Sequence, residues 1–424
     1  MNKKEKDSEL KSKFNKGVIS KLSVLIIAAI ASYAFYFLMA RMLSIEDYGL
    51  LYSLIALTYL FTVPHETIRT VMARYTVDLA TKKKYGKIKY FFIKTIKKIF
   101  IYSLIAFAIF LALSPLLTNF LHASLLELAI IGSSLLVAFL LPVIWGLLQG
   151  LQKFGHLGIN NSIEGIAKLI IATILVSIGL GVSGALISVP LSMLIAFVAG
   201  FWPIKKIIRS KAEPFKEKYI IRYSIAAFII FLFFVAMYSI DVMMARYFFS
   251  AKLSGLYSSI SLISKFVLFI SITITRVMFS TVAEQSQKYK TVEEKYKKGK
   301  AILLYAGTYI LILIGIFMLI SIIAPELIIK IVVGEKYVEV APILRYMILA
   351  MGFLSLSSLI IFYNLSIDWN KRFTARILGT FLFLLIALLI VFHDSITQFV
   401  TVVLFINILL FLALILTLFN YKNK

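Results

Sequence analysis

The stretch Ala40-Arg41-Met42-Leu43-Ser44-Ile45-Glu46-Asp47-Tyr48-Gly49-Leu50-Leu51-Tyr52-Ser53-Leu54 joins two apolar runs and returns about 205 residues later. The second copy reads Ala245-Arg246-Tyr247-Phe248-Phe249-Ser250-Ala251-Lys252-Leu253-Ser254-Gly255-Leu256-Tyr257-Ser258-Ser259, so Ala40, Arg41 and Gly49 match Ala245, Arg246 and Gly255 once one residue is inserted. Self-similarity at such a spacing points to two homologous halves. In each copy an apolar segment stops at an Arg, a short polar turn follows, and a new apolar segment begins just past a Gly. That pattern describes a helical hairpin that crosses a membrane and comes back.

Composition supports the same reading. The 424 residues are 61% hydrophobic and only 15% charged. They contain apolar runs of the ~20 residues that span a bilayer at 1.5 Å rise per residue. The expected fold class is an all-α polytopic membrane protein. A net charge of +25 would suggest nucleic acid in a soluble chain. Here its placement marks membrane sidedness, and no nucleic-acid partner is expected. The first apolar run, Val18 to Met39, is too long for a signal-peptide core and reads as a retained span. Zero cysteines exclude disulfides, thiol catalysis and Cys-ligated metals.

Charge, Gly and Pro delimit twelve candidate spans. The first six are Val18 to Met39, Gly49 to Pro64, Ile99 to Leu117, Leu125 to Leu148, Leu157 to Leu180 and Val182 to Phe201. The second six are Ile221 to Met244, Leu256 to Val282, Ala301 to Ile323, Pro342 to Tyr363, Ala375 to Phe392 and Phe399 to Phe419. The expected organisation is a basic cytoplasmic segment over 1–16, a six-helix bundle over 17–203, a cytoplasmic linker over 204–218, a second bundle over 219–420 and a tail over 421–424. Of 45 Lys and Arg residues, 36 fall in one alternating set of connections and 5 in the other. Positive charge is retained on the cytoplasmic side, so both termini are expected to be cytoplasmic. The basic connection from Arg69 to Lys98 reads equally as an amphipathic helix on an anionic inner leaflet or as a solvated loop.

Four basic residues, Lys168, Lys265, Arg276 and Arg345, fall inside spans. An ionisable group at mid-membrane costs roughly 2.5–3.5 kcal/mol on insertion scales, so it faces a partner or a wet cavity. Lys168 and Lys265 sit near mid-depth. Arg276 lies 11 residues past Lys265 on nearly the same helical face, and Arg345 lies one turn in from the external end. The acidic counterparts are Glu164 and Asp241. Glu164 lies four residues before Lys168, which favours a local ion pair. Lys265 has no acidic neighbour within a turn, so it calls for an anionic ligand or for a partner on another helix, with Asp241 as the alternative.

Other motifs carry little chemistry. Gly179-Leu180-Gly181-Val182-Ser183-Gly184 fits GxGxxG, but no strand precedes it and it reads as a tight turn. Gly146 and Gly150 have the GxxxG spacing of close helix packing. The sequons at Asn160 and Asn364 fall toward the cytoplasmic face, where glycosylation is not expected. His65, His122, His156 and His393 have no metal-ligand spacing, and neither a metal, a cofactor nor a catalytic residue is expected.

Three segments carry a family resemblance. They are Ala40-Arg41-x-Leu43 with Glu46-Asp47-Tyr48-Gly49, then Trp145-Gly146-Leu147-Leu148-Gln149-Gly150-Leu151-Gln152-Lys153-Phe154, and Asp241 to Tyr257. With these the chain resembles the polysaccharide-transporter or flippase family of the multidrug/oligosaccharidyl-lipid/polysaccharide exporter superfamily. The resemblance implies two six-helix bundles related by a pseudo-twofold along the membrane normal. It also implies movement of a polyprenyl- or dolichyl-linked oligosaccharide across the cytoplasmic membrane by alternating access, with membrane lipids and a coupling proton or sodium ion as further partners. On that basis Lys168, Lys265, Arg276 and Arg345 would meet substrate phosphates, and Glu164 and Asp241 would couple ions or pair charges. Rival readings are an ion-coupled multidrug exporter of the same fold, which favours cavity carboxylates, and a membrane glycan polymerase or ligase, which needs a long external loop. A non-transporting scaffold is the fourth.

Overall fold

The structure is a computed structural model that describes residues 33–214, 224–286, 291–367 and 369–419; among these, every regular element is helical. They fall into two compact units. The first gathers 33–214 with Ala245–Gly255, and the second gathers Ile225–Met244 and the chain from Leu256 onward. The turn of the second motif copy, expected with the second half, thus belongs to the first unit.

The first unit begins with α1 (33–42) and α2 (Ile45–Tyr59). The polar turn between them is a helix cap. Ser44 is extended, its hydroxyl accepts the Asp47 N–H at 3.0 Å, and Glu46 and Asp47 place negative charge on the exposed amides of the first turn. α3 (Thr62–Thr81) follows after a break at Leu60 and Phe61. α4 runs from Tyr85 to Leu121, 37 residues and so about 55 Å, well beyond the ~30 Å of a bilayer core.

The basic Arg69 to Lys98 segment is therefore neither a separate surface helix nor a loop. It forms the end of α3, a turn in which Lys83 is left-handed, and the start of α4. The reason is protein packing. Met72, Leu79, Ile88, Phe91 and Phe92 form one core with Val143, Ile144, Leu147, Leu148, Ile204 and Ile207.

α5 (Leu125–Ala138) starts on a capping box, in which the Ser124 hydroxyl accepts the Glu127 N–H and the Glu127 carboxylate accepts the Ser124 N–H. Pro142 opens α6 (Leu141–Gly150), where a proline's missing donor costs nothing. Gly146 and Gly150 lay α6 directly on α3. A Cβ at Gly146 would stand 2.5 Å from the Arg69 carbonyl oxygen, and one at Gly150 would stand 2.5 Å from Thr76 Cβ. The GxxxG spacing is thus used inside the unit. α7 (Phe154–Leu175) and α8 (Gly181–Ala199) are joined by a turn in which Gly179 and Gly181 take φ of 93° and 49°, left-handed backbone that glycine adopts without strain.

α9 (Lys205–Arg209) follows, and the expected linker is docked as far as it is described. Lys89 Nζ donates to the Ser210 carbonyl at 2.8 Å, and the Glu213 N–H donates to the Gly86 carbonyl at 3.1 Å. Residues 215–218 of that linker, the expected segments 1–16 and 421–424, and the start of the first span lie outside the described residues.

The glycine shared by the two motif copies has a structural use. A Cβ at Gly49 would stand 2.7 Å from the Gly255 nitrogen, and one at Gly255 would overlap the Ile45 carbonyl oxygen. The two copies meet backbone to backbone within the first unit.

The remaining helices are α10 (Ser224–Met237), α11 (Ile240–Phe248), α12 (Ala251–Ser286), α13 (Val292–Ile323), α14 (Pro325–Val332), α15 (Ala341–Ser366), α16 (Lys371–Val391) and α17 (Ile396–Phe419). Among the described residues eight helical segments are long and apolar enough to cross a membrane, and α10 with α11, bent by 41°, makes a ninth. One of the eight, Phe154–Arg209, contains both α7 and α8 and so two spans. With α1 and α2, each of the twelve expected spans falls on helix over its described residues, apart from short breaks.

Candidate functional site

In the second unit, α10 ends at a tightened turn, where the Tyr238 and Ser239 N–H groups donate to the Val235 and Ala236 carbonyls. The chain restarts as α11, so Asp241 lies in a first helical turn, where exposed amides favour a carboxylate. Tyr257, Ser261 and Lys265 recur every four residues along α12 and converge on it. Lys265 Nζ donates to Asp241 Oδ1 at 3.1 Å, and the Tyr257 hydroxyl donates to Oδ2 at 2.9 Å. The Ser261 hydroxyl reaches Oδ2 at 3.4 Å. Both charged side chains are 0% exposed. Phe399 closes over Tyr257 edge to face, with ring centroids 5.2 Å apart.

Lys265 is therefore the buried partner of Asp241. Both requirements of a buried ammonium, charge neutralisation and hydrogen bonds, are met here by protein, which is the alternative the sequence offered beside an anionic ligand. Arg276 lies 11 residues further along the same helix. The two are about 16 Å apart along the helix, and Arg276 is exposed. Arg345 is exposed one turn into α15, with its guanidinium 5.0 Å from the Tyr346 ring centroid and Nη2 donating to the Tyr346 hydroxyl at 3.3 Å.

The first unit holds a different arrangement. Lys168 on α7 is half-buried, and its ammonium lies 5.0 Å from the Phe35 ring centroid and 5.4 Å from that of Tyr36. The expected Glu164–Lys168 ion pair is not closed within 4 Å. Glu164 is half-buried and near enough to attract the ammonium, but the aromatic faces of α1 hold the lysine instead. Behind them is a tyrosine cluster that the charge-led sequence reading passed over. Tyr36 meets Tyr52 edge to face at 5.8 Å, Tyr52 stacks on Tyr48 at 6.1 Å, and the Tyr36 and Tyr59 hydroxyls are 3.5 Å apart. The signal was present in α2, where Tyr48, Tyr52 and Tyr59 follow helical spacing onto one face.

Several residues singled out in the sequence serve the scaffold. Arg246, shared by both motif copies, caps α4: its Nε donates to the Leu121 carbonyl at 3.0 Å and its Nη2 to that of His122 at 3.3 Å. The Trp145 to Phe154 motif is a packing joint. Trp145 Nε1 donates to Asn160 Oδ1 at 2.7 Å, Gln149 accepts from Arg69 Nε at 2.9 Å, and Lys153 Nζ donates to the Pro203 carbonyl at 2.6 Å. Asn160 is 3% exposed and also donates to the Ala196 carbonyl, and Asn364, 1% exposed, donates to Thr417. Neither sequon is presented to solvent. Among the described residues no group of three or more His, Asp or Glu is placed to hold a metal ion.

Three solved structures with similar folds show what this architecture is. One is a multidrug resistance MATE family transporter of the MOP superfamily, in its inward-facing conformation. Its identity is 11% and its TM-score 0.75, covering 95% of this chain and 96% of that one. A second is a MOP superfamily transporter from Pyrococcus furiosus, with 11% identity and a TM-score of 0.66 over 99% and 97% of the two chains. A third is the Vibrio cholerae MATE transporter VcmN in the bent form, with 13% identity and a TM-score of 0.65 over 98% and 97%. At these identities the likeness is one of fold, and it is the two-bundle, twelve-helix membrane fold expected from the sequence. Comparison with curated proteins gives no match. In sequence, a family model described as polysaccharide biosynthesis protein matches residues 38–342, and the chain belongs to that family.

Proposed function

We propose that this transporter carries a polyprenyl- or dolichyl-linked oligosaccharide or polysaccharide precursor from the cytoplasmic to the outer leaflet of the cell membrane. It works by alternating access and supplies the synthesis of cell-surface polysaccharide. The observation that supports the reading most is Lys168. A cation half-buried in a span, flanked by Phe35 and Tyr36, offers a charge for a phosphate and ring faces for the apolar face of a sugar. Membership of a polysaccharide biosynthesis family supports a glycan as the substrate class. Arg276 and Arg345, both exposed, add positive charge toward the ends of their spans.

In this reading Asp241 is the coupling group. A proton or sodium ion competes with the Lys265 ammonium for its carboxylate, and the exchange biases the conformational equilibrium. No residue acts as a catalyst. A polymerase or ligase reading lacks its external loop, since the chain between α13 and α15 is taken up by α14 and a 3-10 turn, with Glu335 paired to Lys330 at 3.2 Å.

The multidrug-exporter reading keeps one specific support, the half-buried Glu164 beside Lys168. Depletion of the protein from its own cells separates the two. The flippase reading expects lipid-linked glycan to build up in the inner leaflet with unchanged sensitivity to cationic drugs. Drug hypersensitivity without glycan build-up favours the exporter.

The charge asymmetry of 36 to 5 sets the proposed orientation. Reporters inserted between Lys82 and Lys87 or after Lys211 are expected on the cytoplasmic side, and reporters at Gly181 or Lys336 on the external side. An external reporter at Lys82 would reverse the topology.

A further inference from the structure

Two adjacent asparagines on α7 are used differently. Asn160 is committed to the scaffold: its Oδ1 accepts from Trp145 Nε1 at 2.7 Å and its Nδ2 donates to the Ala196 carbonyl at 2.8 Å. Asn161 points about 100° away around the helix. Among the described residues its Oδ1 is buried and accepts no hydrogen bond. Leaving a buried amide oxygen without a donor destabilises a fold, so its presence inside a span calls for a physical reason.

The place of Asn161 on the helix supplies one. Asn161, Glu164 and Lys168 are three and four residues apart and form a single stripe along α7. The opposite side carries Ile159, Ile166, Ile170 and Ile174, 42–61% exposed, which is the side a bilayer covers. The stripe therefore faces protein, and its three polar residues are all half-buried. At about 1.5 Å per residue, Glu164 lies about 6 Å and Asn161 about 10.5 Å from Lys168 along the axis, both toward the Phe154 end. Successive sugar rings follow a phosphate at comparable steps. A carboxylate accepts from sugar hydroxyls, and a carboxamide both accepts and donates.

We propose that Asn161 and Glu164 form a sugar-binding subsite beside Lys168, whose ligand is the phosphate-proximal, hydroxyl-bearing sugars of the lipid-linked glycan. This subsite rests on the flippase reading above and specifies which part of the substrate is recognised. With a substrate phosphate at Lys168, hydroxyls of the first sugar donate to the Glu164 carboxylate, and a hydroxyl of the second meets the Asn161 amide. The Asn161 side chain is half-buried, and rotation about its last torsion turns the oxygen toward the stripe. A carrier lipid without sugar offers neither residue a partner. The two residues thus distinguish a loaded carrier from an empty one.

The test is competition in vesicles that hold the full chain. Translocation of a labelled polyprenyl-diphosphate disaccharide is measured against the same compound unlabelled and against sugar-free polyprenyl diphosphate, and the concentrations that halve the rate are compared. One neutral and one charge-assisted hydrogen bond predict that wild type needs at least about 30-fold more of the sugar-free competitor. Asn161→Leu is expected to reduce that preference by about 2- to 12-fold. Glu164→Gln, which keeps a polar group but loses the charge, is expected to reduce it by about 5- to 12-fold. Thermal unfolding adds a readout that needs no substrate. Asn161→Leu removes an unmet polar group and is expected to unfold no lower than wild type, whereas Asn160→Leu breaks two hydrogen bonds and is expected to unfold at a lower temperature. Equal competition by the two compounds in wild type overturns the subsite. So does an unchanged preference in Asn161→Leu, or destabilisation of Asn161→Leu to the level of Asn160→Leu. Each of these outcomes leaves wild-type translocation, and with it the flippase reading, in place; absence of wild-type translocation overturns both.

Discussion

Replacing Lys265 with Gln is expected to lower the stability of the protein by about 3–5 kcal/mol, and replacing Asp241 with Asn is expected to do the same. The pair is 0% exposed on both sides and lies 3.1 Å apart, so either single change strands a charge where no solvent can screen it. Two charges taken out of water repay their desolvation largely through each other, with the Tyr257 and Ser261 contacts adding to it. The double variant removes both charges and leaves two amides of matching size, so most of the loss should return. Thermal unfolding of the four purified proteins checks this. A double variant as unstable as the sum of the singles would mean that the two residues act independently. The same set reads the coupling role, since the double variant is expected to fold yet to lose the dependence of transport on an ion gradient.

The second large effect is expected at Lys168 and has the opposite signature. This ammonium is half-buried and closes no ion pair within 4 Å among the described residues, so Lys168→Gln should leave abundance and thermal stability close to wild type. A charge-assisted bond to a phosphate is worth roughly 1.5–3 kcal/mol, which predicts a loss of translocation of about 10- to 150-fold. Lys168→Arg keeps the charge and stacks well on Phe35 and Tyr36, and should retain part of the rate. Loss of stability in step with loss of transport would make Lys168 a packing residue instead.

How far the sequence can be read depends on the kind of interaction. The spans were legible because membrane burial is written locally, as ~20 apolar residues between charges, and the described residues of the twelve candidates fall on helices apart from short breaks. The polar turn after Arg41 and the Gly179–Gly181 turn were legible for the same reason, although the Ser44 cap within the first was not read. The breaks within the second and fourth candidate spans, at Leu60–Phe61 and at Phe139–Leu140, were not. Hydropathy continues smoothly across them while the backbone does not. The length of α4 was hidden because a helix continues as long as its apolar face is packed, and Ile88, Phe91 and Phe92 are packed on protein beyond the apolar run.

The charged residues show the same division. The i, i+4 rule offered Glu164 to Lys168, but the tertiary fold brought in Phe35 and Tyr36 from the far end of the unit. Asp241 and Lys265 are 24 residues apart, a separation that carries no geometric meaning until the α11–α12 hairpin is folded. The sequence could name the pair only as one of two alternatives.

The most direct test of the account is leaflet-resolved translocation of a fluorescent lipid-linked oligosaccharide in vesicles. Three preparations are compared: vesicles with the wild-type protein, vesicles with Lys168→Gln, and protein-free vesicles. The account predicts rapid appearance of the labelled glycan in the opposite leaflet with wild type, and rates near the protein-free background with the variant. Equal rates in wild-type and protein-free vesicles, under an imposed proton or sodium gradient of either direction, would contradict it.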